Sequence, residues 1–339
     1  MINKAAYDTL KSMQRANWQD QIRLPIKDPL TLLKQLDIPS GQIDLPVASL
    51  NSFPLKVPQP FLDRIKKGDP HDPLLRQVLP LAAEDVEQPG FTTDPVGELE
   101  RRRATGILHK YYGRALMLTT GACAIHCRYC FRRHFPYNGG IAATGDWSEA
   151  MDYLTQDNSI REVILSGGDP LVMSDDKLSV LFDKLETIPH LQRLRIHTRL
   201  PVVIPNRITA ELVSKLSGLR LKPIVVIHCN HANELDDTAV TALVQIREAG
   251  IVVLNQSVLL KGVNDQWEVI ASLCERMFAS GVLPYYLHML DRVAGSAHFD
   301  VAMETATAIM EKLRIYLPGY LVPRLVREQS GAPYKIPVL

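Results

Sequence analysis

The sequence predicts an α/β protein, an incomplete parallel barrel preceded by a helical, loop-rich region. Short runs rich in Val, Ile, Leu and Thr recur from about residue 113 onward, and longer amphipathic stretches separate them. Prolines and polar turns divide the first hundred residues instead. Strands that alternate with helices favour βα units and a parallel sheet. Because about six or seven such units can be counted, fewer than the eight of a complete barrel, we expect a partial (β/α)6-type barrel.

The first region, residues 1–105, contains three short segments with the apolar spacing of helices, at 8–23, 29–36 and 60–67. We assign residues 106–339 to the barrel. The strands expected in it are 114–119, 162–166, 194–198, 224–228, 252–257, 283–288 and 320–326. The helices expected between them are 148–155, 176–187, 209–216, 236–249, 266–279 and 301–317.

Polar residues cluster where the first six expected strands end. They are found at 120–123, 167–169, 197–199, 228–230, 255–257 and 291–292. In barrel-type α/β folds ligands bind at the C-terminal ends of the strands. We therefore expect these six clusters to form one site at that rim.

Composition excludes several classes of protein. Of the 339 residues, 46% are hydrophobic and 22% charged, and the formal net charge of +1 gives no field that favours nucleic acid or an anionic membrane. The longest apolar runs, such as 223–227, are too short to span a bilayer, and residues 1–10 lack the apolar core of a signal peptide. We expect a cytoplasmic protein with neither nucleic-acid nor membrane partners.

Three of the five cysteines, Cys123, Cys127 and Cys130, fall within eight residues. Three thiolates in a Cys-x3-Cys-x2-Cys run can hold three corners of a four-iron cluster and leave one iron open. A structural zinc site would need a fourth ligand, which His126 or His134 could supply. The spacing favours iron–sulfur over zinc. Cys229 and Cys274, remote from this run, are expected to be buried apolar residues.

The cysteine run, with an aromatic residue before its last cysteine, resembles the signature of the radical S-adenosylmethionine (SAM) superfamily. That resemblance implies a [4Fe-4S] cluster whose open iron chelates SAM and whose one-electron reduction releases a 5′-deoxyadenosyl radical. The turn formed by Gly167, Gly168 and Asp169 resembles the glycine-rich loop of the superfamily, where the main chain approaches the methionyl amino group.

From about residue 109 to the C-terminus, the chain is most similar to the lysine 2,3-aminomutase family. The resemblance rests on residues 109–114, 127–133, 165–169, 228–234, 255–265, 285–291 and 335–338. It implies conversion of L-α-lysine to β-lysine and pyridoxal 5′-phosphate (PLP) as a third cofactor, bound as an imine on Lys335. Taken on its own, Lys335 is only a lysine near the C-terminus.

The same resemblance implies roles for five other residues. Arg132 matches the residue that pairs with the substrate carboxylate, for which a guanidinium fork is suited. Arg114 matches an arginine that contacts the cofactor phosphate, and Asp291 matches a carboxylate that holds the side-chain ammonium of lysine. His228 and Gln256 match positions that line the SAM site. Without the resemblance, each charged residue here reads as an ordinary surface ion pair.

The chain departs from the family pattern near its end. Glu328 stands where the family has a second substrate-binding aspartate, seven residues before the imine lysine, and 331–334 is not glycine-rich. The sequence stops four residues after Lys335. We therefore expect the short member that makes (R)-β-lysine for the modification of elongation factor P by a separate ligase, with an unidentified electron donor.

Two alternatives remain open from the sequence. The first is a radical SAM aminomutase for another amino acid such as glutamate, although Asp291 and Glu328 disfavour an anionic side chain. The second is a non-catalytic iron–sulfur or zinc protein.

Overall fold

The computed structural model describes residues 18–137 and 147–338, whose strands form one sheet in which chain order is also spatial order. The strands are β1 (Arg102–Ala104), β2 (Ile107–Tyr111), β3 (Arg114–Thr120), β4 (Glu162–Gly167), β5 (Arg193–Thr198), β6 (Lys222–Ile227), β7 (Val252–Val258), β8 (Leu283–His288), β9 (Arg324–Arg327) and β10 (Ile336–Pro337). Strands β3 to β9 are parallel, and antiparallel pairing adds β1 and β2 at one edge and β10 at the other. The α/β class with an incomplete parallel barrel is confirmed.

Short helices dominate the region before the sheet. They are α1 (Pro29–Gln35), α2 (Ser49–Ser52), α3 (Gln59–Leu62) and α4 (Pro73–Arg76). Of the helix expected at 8–23, residues 8–17 lie outside the described residues and 18–23 are helical. The helix expected at 60–67 ends early, where the main chain turns so that the amide of Lys66 donates to Asp72.

Longer helices connect the parallel strands. They are α5 (Ser148–Gln156), α6 (Asp175–Glu186), α7 (Leu200–Val203), α8 (Ala210–Ser217), α9 (Asp237–Glu248), α10 (Trp267–Ala279) and α11 (Met303–Tyr316). Except for the short α7, their bounds agree with the expected helices to within about two residues. Side chains that cap helix N-termini explain this precision: Ser174, Thr209 and Asp236 each accept a main-chain N–H of the first turn.

The strand expected at 320–326 begins later. Gly319–Leu321 forms a 3₁₀ turn after Pro318, and β9 starts only after Pro323. A proline has no N–H for the strand ladder, so the apolar run around it does not become one strand.

The core joins the two regions of the chain. Buried Leu32, Phe61 and Leu74 of the first region belong to the same hydrophobic cluster as Leu165 and Ile196 of the barrel strands. The boundary near residue 105 stays a prediction; β1 and β2 pair across it. Within the described ranges, no helix is long and apolar enough to cross a bilayer.

Candidate active site

A cavity of about 1040 Å³ lies inside the incomplete barrel and reaches the C-terminal ends of its parallel strands. All thirteen residues selected from the sequence line it: Arg114, Cys123, Cys127, Cys130, Arg132, Gly167, Gly168, Asp169, His228, Gln256, Asp291, Glu328 and Lys335. They come from segments as far apart as residues 114 and 335. The fold therefore brings all the residues selected from the sequence to the wall of one cavity.

The cysteine loop follows β3 and packs against the N-terminal region. The amide of His126 donates to the carbonyl of Lys56 (3.0 Å), and that of Arg128 donates to the carbonyl of Gln77 (2.8 Å). The buried Arg128 and Arg133 both pair with the buried carboxylate of Glu84. These contacts hold the loop so that its three cysteines, each partly buried, face the cavity.

The cysteines suit a cluster better than a single zinc ion. His126 Nδ1 bonds to the carbonyl of Pro54 (2.8 Å), and His134 Nε2 bonds to the carbonyl of Ala294 (3.1 Å). In 18–137 and 147–338, no three His, Cys, Asp or Glu side chains converge as a single ion requires. Three thiols that line one cavity suit three corners of an iron–sulfur cluster.

Two of the three thiols, those of Cys123 and Cys130, have raised pKa values. Burial, together with the neighbouring Cys127, raises the pKa of Cys130 to about 11, and burial raises the pKa of Cys123 well above its ordinary value. Metal ligation requires thiolates, so cluster assembly here releases protons.

The glycine turn at the end of β4 locks onto the cysteine loop. Gly168 N donates to Thr120 O (2.7 Å), and Asp169 N donates to Ala122 O (2.8 Å). A Cβ at Gly167 would lie 2.3 Å from Thr120 O, and one at Gly168 would lie 2.2 Å from Ala122 O. Gly167 also has a φ of +127°, a conformation that other residues rarely adopt. The turn therefore requires glycine at both positions.

Asp169 uses its carboxylate within the protein. It accepts from Thr198 Oγ1 (2.8 Å), from the amide of Arg199 (2.7 Å) and from the amide of Leu171 (3.0 Å). Burial raises its pKa despite these hydrogen bonds. Its geometry is that of a residue that joins the glycine turn to the end of β5.

Arg132 is already engaged by a carboxylate that the sequence did not suggest. Its Nε and Nη2 atoms form a bidentate pair with Glu98, both at 2.7 Å, and Nη1 donates to Ser166 Oγ (2.8 Å). Arg114, at the start of β3, lies over the ring of Tyr111, 4.7 Å from its centroid. Both guanidinium groups line the cavity.

Glu328 joins two lysines. Its Oε2 accepts from Lys335 Nζ (2.8 Å), and its Oε1 accepts from Lys110 Nζ (2.7 Å) and Tyr111 OH (3.1 Å). Burial alone would raise the pKa of Glu328, but the two ammonium groups hold it below its ordinary value. Lys335 also lies 3.4 Å from His288 Nε2. Lys110 falls in a stretch that supported the resemblance, yet no signal there indicated this pairing.

Asp291 forms no ion pair with the residues that the structure describes, and Lys335 and Lys110 only partly offset the effects that raise its pKa. Burial first, and the nearby Glu328 second, raise its pKa to about 7. An incoming cation would restore its charged form, because an opposite charge lowers the pKa of a carboxyl. Asp291 is therefore suited to receive a cationic group.

Two polar atoms of residues that line the cavity lack partners in the described part of the chain. Gln256 Oε1 and His197 Nε2 are buried and make no hydrogen bond there. His228 pairs with His197 (3.3 Å), and burial lowers its pKa to about 3, so it is neutral. Unpaired buried polar atoms in a cavity wall are those that a bound ligand satisfies.

An open parallel barrel with three cysteines beside a glycine turn defines a radical SAM enzyme. Residues 117–274 match the Radical SAM superfamily. The chain is 47% identical over 322 residues to L-lysine 2,3-aminomutase of Haemophilus influenzae, covering 95% of each chain. It is 47% identical over 331 residues to that of Escherichia coli, covering 97% of this chain and 96% of the relative.

A third relative is longer. L-lysine 2,3-aminomutase of Clostridium subterminale is 34% identical over 344 residues, which cover all of this chain and 82% of the relative. The chain belongs to the lysine 2,3-aminomutase family of radical SAM enzymes, which are isomerases.

Proposed function

We propose that this enzyme converts L-α-lysine to β-lysine with a [4Fe-4S] cluster, SAM and PLP. The observation that carries the proposal is that one cavity is lined by all thirteen residues selected from the sequence. The names of the relatives at 47% identity support lysine as substrate.

Cys123, Cys127 and Cys130 would hold three irons of the cluster, and the open iron would take SAM. The chemistry that cluster and SAM supply when bound is one-electron cleavage to a carbon radical able to remove hydrogen from an unactivated carbon. Gly167 and Gly168 let the turn pack against the carbonyls of Thr120 and Ala122, beside the cysteine loop, and both line the cavity. The buried Gln256 Oε1 is available for a ligand's donor group.

Lys335 would hold PLP, and Arg114 would contact its phosphate. PLP supplies, when bound, a π system through which an amino group can migrate between neighbouring carbons. Before that, Glu328 and His288 fix the position of the Lys335 amino group. Lys335 and both of these neighbours line the cavity.

Arg132 and Asp291 would orient the substrate at its two ends. The guanidinium of Arg132 would bind the substrate carboxylate. It would do so through Nη1, which donates to Ser166 and does not take part in the pair with Glu98. Because Glu328 already accepts from Lys110 and Lys335, Asp291 is the carboxyl best able to accept the substrate ammonium. Proton loss from Asp291 on binding would favour lysine over glutamate, whose side chain is anionic.

We also propose that the product is (R)-β-lysine for elongation factor P, and that the enzyme works in the cytoplasm. The 47% identity to two relatives, of which the chain covers 95% and 96%, supports a place beside them in the family. Thiolate ligands of a cluster need a reducing compartment. Mass spectrometry of elongation factor P from cells lacking and regaining this chain tests the link; unchanged β-lysylation would contradict it.

The activity is tested by an anaerobic assay of reconstituted enzyme with L-lysine, SAM, PLP and a strong reductant. Chiral derivatisation and chromatography separate the products, since α- and β-lysine have the same mass. We expect β-lysine from the parent and none from Lys335→Ala, whose iron and sulfide content should equal the parent's. If 5′-deoxyadenosine forms without β-lysine, the substrate assignment is wrong.

A further inference from the structure

Arg199, at the end of β5, is a buried guanidinium without a role in the mechanism above. Its side chain is 6% exposed. Its Nη1 lies 2.7 Å from Cys127 Sγ, although the two residues are 72 positions apart in the chain. The contact places a permanent positive charge directly against one of the three cysteines.

Neighbours from three parts of the chain fix this side chain. Nη2 donates to Glu234 Oε2 (2.8 Å) and to Gln77 Oε1 (2.7 Å), and the amide of Arg199 donates to Asp169 (2.7 Å). The guanidinium also lies 5.3 Å from the ring centroid of Phe61. So many contacts leave the guanidinium one orientation, with Nη1 toward the sulfur.

Three groups lie in a row: the sulfur of Cys127, the guanidinium of Arg199 and the carboxylate of Glu234. Glu234 is fully buried beyond Arg199, and its Oε1 accepts from the amides of Asn230 (2.9 Å) and His231 (3.1 Å). The Arg199–Glu234 pair is neutral as a whole, yet its positive end touches the cysteine. Lys56, another cation near the cysteines, differs because it bonds to the carbonyl of Cys123 rather than to a sulfur.

We propose that Arg199 is a positioning residue that raises the reduction potential of the cluster held by the three cysteines, and that Glu234 limits this effect. The inference rests on the proposed function, which supplies the cluster. Reduction adds one negative charge to the cluster and its thiolates. Hydrogen bonds to the sulfurs and nearby positive charge stabilise that reduced form, so both raise the potential. Arg199 thereby sets how strong an electron donor the enzyme needs.

The test is a potentiometric titration of the reconstituted protein, followed by the EPR signal of the reduced cluster with no substrate present. Arg199→Gln removes the charge and leaves Glu234 facing the site, so the midpoint potential should become more negative. Glu234→Gln leaves the guanidinium unopposed, so the potential should become more positive. Opposite shifts are the expected result, because general damage to packing gives the two variants no reason to differ in sign.

Arg207→Gln is the matched control. Arg207 is equally buried and pairs with Asp175 (2.8 Å), but its contacts are to Leu171 and Met173 rather than to a cysteine. Its variant should keep the parent's potential. Unshifted potentials in both test variants, at full iron content, overturn the inference. If Arg199→Gln does not fold, Glu234→Gln decides: a positive shift supports the inference, and none or a negative shift overturns it. A parent that binds no iron and sulfide refutes the proposed function itself.

Discussion

The two sides of the cavity are built differently. The cysteine side comprises residues 123–130 and the glycine turn 167–169, and the lysine side comprises Lys110, Asp291, Glu328 and Lys335. On the cysteine side main-chain hydrogen bonds join the turn to the loop. On the lysine side charged side chains hold one another, with Glu328 between two ammonium groups. Small changes should therefore abolish function on the first side, whereas on the second side changes at the carboxylates should reduce it and only the loss of Lys335 should abolish it.

The largest effect should come from the cysteines. Cys130→Ala removes one of three corners of the cluster, so we expect loss of bound iron and sulfide and no detectable turnover. Iron and sulfide assays of anaerobically prepared protein check this. Cys274→Ala deletes an equally small thiol, buried outside the cavity, and should keep the parent's iron content. Equal losses in both variants would show that the effect is general instability.

The glycine turn should be nearly as sensitive. In Gly168→Ala the new Cβ would meet Ala122 O at 2.2 Å, which forces the turn away from the loop. Overpacking of this kind costs about 1–3 kcal/mol, so the Tm should fall by several degrees. SAM affinity, measured by calorimetry, should fall more than the stability loss explains. In Gly41→Ala the Cβ meets no atom within 4 Å. A Gly168 variant as stable and tight-binding as this control would contradict the prediction.

The same contrast explains what could be read from the sequence. The cysteines lie within one loop, so their spacing alone favours a cluster over a zinc site, and the apolar period predicted the crossover helices. The pairing of Lys110 with Glu328 joins residues 218 positions apart, near opposite edges of the open sheet, and depends on how the whole sheet folds. The bidentate pair of Arg132 with Glu98 is hidden for the same reason. Lys335 was selected only through resemblance, because a single lysine carries no pattern.

On the lysine side, Asp291→Asn should have a substantial effect on lysine binding. Loss of an ion-paired hydrogen bond costs about 1.5–3 kcal/mol, which predicts a KM for lysine about ten- to a hundredfold higher. In the parent, the pKa of Asp291 near 7 means that kcat/KM should fall as the pH drops below 7, and the variant should lack that dependence. Asp176→Asn, on an exposed helix position, is the control. An unchanged KM in Asp291→Asn would overturn the role assigned to it.

The free energy of unfolding should depend on pH in the opposite direction to kcat/KM. Because the pKa of Asp291 is raised from 3.8 to about 7, the folded state binds a proton that the unfolded state has lost between those values. The free energy of unfolding therefore decreases, from this group, as the pH rises from about 4 to 7. Asp291→Asn should flatten that decrease in urea titrations. A steeper decrease in the variant would contradict the sign.

The smallest effect should come from Glu328→Asp, which introduces the residue expected at this position from the resemblance. The shorter carboxylate cannot bridge Lys110, Tyr111 and Lys335 together, so about one hydrogen bond is lost, worth about 1 kcal/mol or roughly fivefold in kcat/KM. Glu311→Asp, the same change at an exposed helix position, should have none of this effect. A lower KM for lysine in Glu328→Asp would mean that an aspartate here binds the substrate directly. It would also mean that the ion pair with Lys110 does not keep the carboxylate at position 328 from the substrate. Asp291 and Glu328 would then both bind the substrate. In that case the two sides of the cavity would differ in the groups they bind, and not in how firmly their residues hold one another.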